Sequence, residues 1–305
     1  MVCEPVVHTW NDVHVDGAVV RVMEAGDPLA APLLFLHGWG LSPACYADGV
    51  SQLTAAGVRV IAPCLPGFGG SDPLPLHRAG LVDYAHRIAR LLEVLGEDGP
   101  VFVAAHSFGG GVAMQLAVDR PDLVRSLTLV NSVGGGPLST SPAAWLSWAA
   151  GAAGELTPAA VARSASSVLR AFLPNVLRAP VTLALSARLA LTASLADTAR
   201  SLVTGGVPLL FVWGDGDRLV APGTLAGVVA QLPAQVVHGR HGWLLSEPAA
   251  FAELVRNALV VQAMLERRAG GRAVGRAVGG AVVVPVGRSL AELLPGPARA
   301  RLPGA

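Results

Sequence analysis

The stretch Val101-Phe-Val-Ala-Ala-His-Ser-Phe-Gly-Gly110 runs from an apolar segment directly into a helical pattern. A short, continuous apolar run is typical of a strand that is buried on both faces of a sheet. The pattern at Phe108–Arg120 favours a helix. Ala105 and Gly109 stand two positions either side of Ser107, and a tight strand-to-helix turn requires small residues at both places. The stretch therefore predicts a serine at the tip of such a turn.

Ser107 is a candidate nucleophile because of this position. A serine hydroxyl attacks poorly until a base takes its proton and its geometry is fixed. At the N-terminus of a helix, backbone N–H groups and the helix dipole favour a developing negative charge. The turn alone leaves open an ordinary strand-to-helix connection, because serine and glycine are common in this chain.

Apolar runs alternate with helical patterns along most of the chain. Strands are predicted at Val19–Glu24, Leu33–His37, Val58–Pro63, Val101–Ala105, Val124–Val130 and Pro208–Trp213. Helices are predicted at Ser42–Ala56, Gly80–Leu95, Phe108–Arg120 and Glu247–Arg267. Repeated strand–helix–strand units predict the α/β class, with a mostly parallel central sheet and helices on both of its faces.

Two regions interrupt this alternation. Residues 134–206 contain no strand pattern and have prolines between helical pieces, so we expect a helical lid inserted between two core segments, 1–133 and 207–268. Residues 269–305 are rich in Arg, Gly and Pro and include the tandem repeat Gly271-Arg-Ala-Val-Gly-Arg-Ala-Val-Gly279. That composition predicts a disordered tail.

The composition excludes several classes of protein. With 305 residues, 52% hydrophobic and 14% charged, the chain favours a large globular core. A net charge of +1 gives no basic surface for nucleic acid. The three cysteines show no CxxC spacing, so neither a structural metal nor a disulfide framework is expected. No signal peptide and no apolar run of spanning length is evident, so we expect no membrane-spanning segment and a cytoplasmic location. We also expect no cofactor.

Four further motifs follow predicted strands or turns. They are His37-Gly-Trp-Gly40, Leu65-Pro-Gly-Phe-Gly-Gly-Ser-Asp72, Trp213-Gly-Asp-Gly-Asp-Arg-Leu-Val220 and His241-Gly-Trp-Leu-Leu-Ser-Glu-Pro248. With the Ser107 turn, these motifs resemble those of the α/β-hydrolase family, from about Val13 to Val260. Three positions depart from the family pattern: Ala105 replaces a glycine, Cys64 stands where aspartate is common, and Arg240 replaces another glycine.

The resemblance implies a Ser–Asp–His triad, in the order expected for this fold. Ser107 would be the nucleophile, His241 the general base and acid, and Asp217 the residue that orients the imidazole and stabilises its charged form. The resemblance also implies an oxyanion hole formed by the backbone N–H groups of Trp39 and Phe108.

Two of these assignments have rivals nearby in the sequence. Asp215 lies in the same turn as Asp217, and aspartate is common in turns in any case. His238 precedes His241, but the spacing to Pro248 favours His241. Trp39 and Trp243 adjoin proposed catalytic residues, so each is also a candidate for contact with substrate.

The predicted function is hydrolysis of a carboxylic ester, or a similar acyl bond, in an apolar small molecule through an acyl-serine intermediate. The predicted lid is poor in charge, which suits an apolar substrate. Two alternative activities also occur in the family: hydrolysis of carbon–carbon bonds in ring-fission products, and cofactor-free perhydrolase or haloperoxidase activity. An alternative from another class is a non-catalytic small-molecule receptor on the same fold.

Overall fold

A computed structural model of the protein describes residues 8–135, 166–220 and 234–270. The predicted lid therefore falls only partly within the described residues, since 136–165 lie outside them. Nearly all of the predicted tail, 271–305, also lies outside the described residues.

Strands of the described residues form one eight-stranded sheet with the order β1-β2-β4-β3-β5-β6-β7-β8. The strands are β1 (Thr9–Val15), β2 (Ala18–Ala25), β3 (Pro32–Leu36), β4 (Arg59–Pro63), β5 (Val101–His106), β6 (Val124–Val130), β7 (Leu209–Gly214) and β8 (Ala234–Val237). β2 pairs antiparallel with both β1 and β4, and every other pairing is parallel. The carboxyl ends of β3 and of β5 to β8 therefore meet along one edge.

Helices connect these strands. They are α1 (Ala47–Ala55), α2 (Leu81–Val94), α3 (Phe108–Asp119), α4 (Ser166–Arg178), α5 (Pro180–Thr192), α6 (Ala196–Thr204), α7 (Trp243–Ser246) and α8 (Pro248–Gly270). A 3₁₀ turn at Pro43–Tyr46 leads into α1.

The core lies on both faces of the sheet. Along β3, Leu34 and Leu36 belong to one apolar cluster, together with residues of α2, α3 and α6. Leu33 and Phe35 belong to another, with residues of α1, α7 and α8. Alternate side chains of a strand point to opposite faces, so a strand that is covered on both sides must be apolar throughout. The α/β class with a mostly parallel sheet and helices on both faces is confirmed.

Helices α4, α5 and α6 lie in sequence between β6 and β7, within the range 134–206 of the predicted lid. An isolated bridge between Gly135 and Ser194 ties the start of this insertion to the segment before α6. Among the described residues, no single helix is long and apolar enough to cross a bilayer. One helix pair, Val168–Arg178 with Pro180–Thr192, meets the length and composition requirements only jointly, and it is bent by 113°.

Candidate active site

Ser107 occupies the turn between β5 and α3 and has a left-handed backbone, with φ 52° and ψ −116°. Residues with a side chain rarely adopt that conformation, and where they do the strain often has a functional cause. The turn is closed by hydrogen bonds from the Ser107 N–H to the Val130 carbonyl and from the Val133 N–H to the Ser107 carbonyl, of 3.0 and 3.2 Å. At Gly109 a Cβ would lie 2.5 Å from the Leu36 carbonyl oxygen, so only glycine fits there.

The Ser107 hydroxyl is the first member of a continuous hydrogen-bonded chain. Its Oγ lies 3.0 Å from Nε2 of His241, and Nδ1 of the same ring lies 2.9 Å from Oδ2 of Asp217. An ionised carboxylate only accepts hydrogen bonds, so Nδ1 carries the imidazole proton and Nε2 accepts from the serine hydroxyl. All three residues are buried, and Ser107 retains 8% exposure. The three residues predicted as a triad are thus joined in series by hydrogen bonds, with His241 between Ser107 and Asp217.

Asp217 is held by four hydrogen bonds. Oδ1 accepts from the backbone N–H groups of Leu219 and Val220 at 2.8 and 2.9 Å. Oδ2 accepts from His241 and from the side-chain amide of Asn131. Burial opposes ionisation of the carboxyl, but the hydrogen bonds and the nearby imidazole outweigh it, so the pKa of Asp217 lies below its ordinary value.

The rival residues Asp215 and His238 pair with each other instead. His238 Nδ1 lies 3.1 Å from Asp215 Oδ2, and the His238 side chain is 98% exposed. Asp215 Oδ1 accepts a hydrogen bond from the Gly239 N–H at 2.9 Å. This pair lies on the surface and joins the segment after β7 to the segment after β8, whereas Asp217 and His241 turn inward to Ser107.

The turn after β3 brings Trp39 to the same edge of the sheet. His37 donates from Nδ1 to the Gly38 carbonyl at 2.8 Å and accepts from the Leu65 N–H at Nε2 at 2.9 Å. Burial lowers the pKa of His37 to about 4, so the ring is neutral and able to accept at one nitrogen.

Phe108 is the first residue of α3, so its N–H belongs to the first turn, where no helical carbonyl precedes it.

The insertion packs on this turn. The Trp39 indole N–H donates to the Leu183 carbonyl and the Ser186 hydroxyl, both at 3.1 Å. The Trp39 ring also meets Phe172 edge to face, with centroids 5.7 Å apart. Buried Asn175 of α4 donates to the Gly40 carbonyl at 3.0 Å. Helices α4 and α5 therefore cover the turn that carries Trp39.

Trp243 and Asn131 lie beneath the triad. Trp243 is 4% exposed and donates its indole N–H to Oδ1 of Asn131 at 3.0 Å. Asn131 follows β6 with a φ of 48°, a conformation in which asparagine is favoured among non-glycine residues. Sequence reasoning did not select Asn131. The available signal was a polar residue directly after a buried strand, at the edge where the other site residues meet.

Hydrogen bonds fix the turn at residues 65–72, which follows Cys64, the residue that stands where aspartate is common. Ser71 Oγ donates to the Cys64 carbonyl at 2.8 Å and accepts from the Arg21 N–H at 2.9 Å. Asp72 accepts from the Val19 N–H at 2.7 Å. The Cys64 thiol is buried against Gly69, which raises its pKa to about 12 and leaves it protonated.

In the described part of the chain, no group of three His, Cys, Asp or Glu side chains is placed to hold a metal ion.

A parallel α/β sheet with polar side chains gathered at its carboxyl edge defines a broad class of enzymes. Within that class, the sequence profile of the Alpha/beta hydrolase family matches residues 33–254, and the chain belongs to this family. The prediction of family membership from the sequence is confirmed.

The relatives differ in the fraction of their own length that aligns with this chain. The chain is 29% identical over 265 residues to the "Putative non-heme haloperoxidase" of Mycobacterium phage D29, which covers 81% of this chain and 94% of that protein. It is 38% identical over 133 residues to the dihydrolipoyllysine-residue acetyltransferase component of the acetoin cleaving system of Cupriavidus necator, a match to 44% of this chain that spans only about a third (34%) of that protein. Among solved structures, the thermophilic esterase of Thermogutta terrifontis superposes with a TM-score of 0.65 at 21% identity, covering 84% of this chain and 98% of the esterase. That similarity shows the shared fold.

Proposed function

We propose that the protein is a serine hydrolase that cleaves a carboxylic ester or similar acyl bond of an apolar small molecule. The observation that supports this most directly is the chain of hydrogen bonds from Ser107 through His241 to Asp217, at 3.0 and 2.9 Å. A nucleophile, a base and a residue that orients the base are the parts that acyl transfer through serine requires.

In the proposed reaction, Ser107 Oγ attacks the carbonyl carbon while its proton passes to Nε2 of His241. Asp217 stabilises the imidazolium that forms, and its pKa below the ordinary value keeps it ionised for this purpose. The tetrahedral intermediate then expels the alcohol, which takes the proton from Nε2, and the acyl group remains on Ser107. Water attacks this ester by the same route and releases the acid.

We assign the oxyanion hole to the backbone N–H groups of Trp39 and Phe108. Phe108 begins α3 directly after the nucleophile, so its N–H adds to the positive end of the helix dipole. Trp39 lies on the turn after β3, the strand that pairs with β5. Each donor to a developing oxyanion in comparable sites contributes about 3–4 kcal/mol to the transition state.

An apolar substrate is supported by the side chains next to the turn after β3. Phe172 lies over Gly40, where an added Cβ would be 2.8 Å from its ring, and Leu183 is close to the same point. The arginines of the described insertion helices are exposed instead: Arg170, Arg178, Arg188 and Arg200. We therefore propose Trp39 as a substrate contact and Trp243, which is buried behind Asn131, as a support for the triad.

Replacing Ser107 by alanine tests the proposal. With p-nitrophenyl butyrate as substrate, Ser107→Ala should lower kcat/KM by at least roughly 10⁴-fold, because triad members act as a unit. Ser132→Ala is the matched control, since Ser132 is also buried near the site but, within the described part of the chain, its hydroxyl bonds only to the carbonyl of Val133. That variant should keep its activity.

A fluorophosphonate probe gives an independent measurement. It should label the wild type and Ser132→Ala but not Ser107→Ala, as intact mass would show. Full ester turnover by Ser107→Ala would contradict the proposed mechanism. Labelling without turnover of any ester would instead favour the receptor, in which the triad persists without catalysis.

A cofactor-free perhydrolase or haloperoxidase is a second candidate. The observation that favours it is the relative from Mycobacterium phage D29, whose similarity covers 81% of this chain. In such a reaction hydrogen peroxide would take the place of water on the acyl-serine. Peracid formation from acetate and hydrogen peroxide, faster than ester hydrolysis under the same conditions, would identify this activity.

A further inference from the structure

His106 is a buried histidine that the proposed reaction does not use. It is the last residue of β5, directly before the nucleophile, and is 2% exposed. Its Nδ1 lies 2.8 Å from the hydroxyl of Tyr46, and its Nε2 lies 3.1 Å from the backbone carbonyl of His241. One ring thus contacts two other turns at the carboxyl edge of the sheet.

The direction of each hydrogen bond follows from the groups involved. The His241 carbonyl can only accept, so His106 carries its proton on Nε2 and accepts at Nδ1 from the Tyr46 hydroxyl. The Tyr46 oxygen in turn accepts from the N–H of Gly38 at 3.1 Å. Burial, with the adjacent His241, lowers the pKa of His106 to about 3, which keeps the ring in this neutral form.

The two ends of this series lie in the proposed catalytic machinery. Gly38 directly precedes Trp39, whose N–H we assign to the oxyanion hole. The other end is the main chain of His241, the proposed base. We call this series, Gly38 to Tyr46 to His106 to His241, the Tyr46–His106 link.

The link is closely packed along its length. The His106 and His241 rings have centroids 4.9 Å apart, and the Tyr46 and His106 rings meet at 5.9 Å. A Cβ on Gly38 would lie 2.9 Å from Nδ1 of His106. Closely packed groups transmit displacements to their neighbours, so we expect a shift at one end of the link to move the other.

We propose that Tyr46 and His106 are positioning residues that hold the Trp39 N–H and the His241 imidazole in register with Ser107. The inference rests on the proposed function, because register matters only if Ser107 reacts. Asp217 fixes the His241 ring at Nδ1, and the link fixes the main chain that carries this ring. Two separate contacts, one to the ring and one to the main chain, define the position of a general base more tightly than one.

Two esters with different leaving groups separate positioning from simple stability. His241 must protonate the departing oxygen of an alkyl ester, whereas p-nitrophenolate leaves without a proton. Removing the hydroxyl in Tyr46→Phe should lower kcat/KM by roughly tenfold for p-nitrophenyl butyrate and roughly hundredfold for ethyl butyrate, because general acid–base catalysis as a whole contributes about 10²–10⁴-fold. KM should change much less than kcat for both esters.

Two variants of His106 test the two arms of the link separately. In His106→Gln the amide nitrogen can occupy the place of Nε2 and donate to the His241 carbonyl. In His106→Asn the amide reaches only the place of Nδ1, beside Tyr46. We expect His106→Gln to lower the ratio of ethyl ester activity to p-nitrophenyl ester activity about as much as Tyr46→Phe does, roughly tenfold, because both variants lose only the bond between residues 46 and 106. His106→Asn, which loses the bond to the His241 main chain, should lower that ratio further.

Tyr84→Phe is the control, since Tyr84 is the chain's second tyrosine. Its hydroxyl is buried and makes no hydrogen bond of ordinary geometry to any described residue, although Ser186 lies near it. Loss of that hydroxyl should leave both ester activities as they are. Equal losses for both esters in Tyr46→Phe and His106→Asn, in proportion to the unfolded fraction from circular dichroism, would overturn the proposal.

A spectroscopic measurement keeps this test independent of turnover. The Nδ1 proton of His241, bonded to Asp217, should give a low-field NMR resonance. His106→Asn should shift or broaden this resonance more than His106→Gln does, because only His106→Gln keeps a donor to the His241 carbonyl. If the wild type neither hydrolyses esters nor reacts with a fluorophosphonate, the proposed function fails while this resonance still reports on the link. An unchanged resonance in both His106→Asn and Tyr46→Phe would refute the link.

Discussion

The side-chain amide of Asn131 connects Asp217, the proposed triad acid, to the buried residue Trp243. Its Nδ2 donates to Oδ2 of Asp217, and its Oδ1 accepts from the indole of Trp243. The left-handed backbone at this position, with φ 48°, suits asparagine and aspartate better than other residues with side chains. Aspartate is therefore the substitution that changes charge here with least disturbance.

Asn131→Asp should move the acid limb of the pH–rate profile. The new carboxylate can still accept from Trp243, but it replaces a hydrogen-bond donor to Asp217 with a like charge. A second negative charge beside Asp217 favours the protonated form of the adjacent His241, so the neutral imidazole that must accept the Ser107 proton appears only at higher pH. We expect the acid limb of kcat/KM to rise by about one pH unit.

Asn11→Asp is the matched control for Asn131→Asp. Asn11 is exposed on β1 and also donates to a carboxylate, that of Glu24, at 2.8 Å. Its replacement should leave the profile in place. An acid limb that does not move in Asn131→Asp would mean that this amide has no influence on ionisation of the site.

At the scale of residues, the motifs were enough to select the three side chains that the structure brings together, because each belongs to a turn with its own pattern. The structure adds the physical reason why the rivals Asp215 and His238 do not join them. All four candidates lie on the turns after β7 and β8, and only the paths of these turns decide which pair faces Ser107. Asn131 has no such pattern around it.

Among the elements, α4 is joined to two glycine turns of the core through Asn175. The side-chain amide donates to the Gly40 carbonyl, and its oxygen accepts from the Gly69 N–H, both at 3.0 Å. Both backbone groups would lose their partner if the side chain were removed. A buried polar group without a partner costs about 1–3 kcal/mol.

Asn175→Ala should loosen α4 and α5 from the turn that carries Trp39. We expect faster cleavage by trypsin after Arg178 and Arg188, and a Tm lower by roughly 2–8 °C for a loss of about 1–3 kcal/mol. Leu177→Ala is the control, since Leu177 belongs to the same helix and is 74% exposed. Equal trypsin rates in the two variants would show that Asn175 does not anchor the helix.

The elements that sequence patterns predicted are those buried in the sheet and the amphipathic helices, and most of their ends lie within one residue of the prediction. The exceptions are α1, which begins five residues later than predicted, after the 3₁₀ turn, and α8, which ends three residues later. The patterns gave no bounds for β1 or β8, the two edge strands. Most residues of β1 are exposed, and Val236 in the short strand β8 is 63% exposed. An edge strand lacks the continuous apolar run that marks a strand buried on both faces. The contacts of α4 and α5 with Trp39 join segments more than 130 residues apart, and no local pattern reports them.

For the whole molecule, two buried neutral histidines link folding to pH. Burial lowers the pKa of His37 to about 4 and that of His106 to about 3. In the unfolded chain a histidine titrates near 6.5. Between these values the unfolded chain binds more protons than the folded one, so stability falls as pH decreases below about 6.5.

Urea unfolding at several pH values measures this effect. Two such histidines give a slope of up to about 2.7 kcal/mol per pH unit between pH 6 and 5. His106→Gln should reduce the slope by about 1.4 kcal/mol per pH unit. Above about pH 7.5 each of these histidines is neutral in both the folded and the unfolded chain. The free energies of unfolding of the wild type and His106→Gln should then differ by a constant amount. An identical slope in the variant would show that His106 is protonated in the folded protein.

The order of the site residues along the chain has one more consequence. Residues 8–135 carry Trp39, Ser107 and Asn131, whereas Asp217 and His241 belong to 166–270. The pairing of β6 with β7 joins these two halves of the sheet. A polypeptide interrupted between Gly135 and Ser166 would leave the nucleophile on one fragment and its base on the other. Fused to two partners, such fragments form a split reporter, in which any reaction that needs Ser107 and His241 together signals that the partners have met.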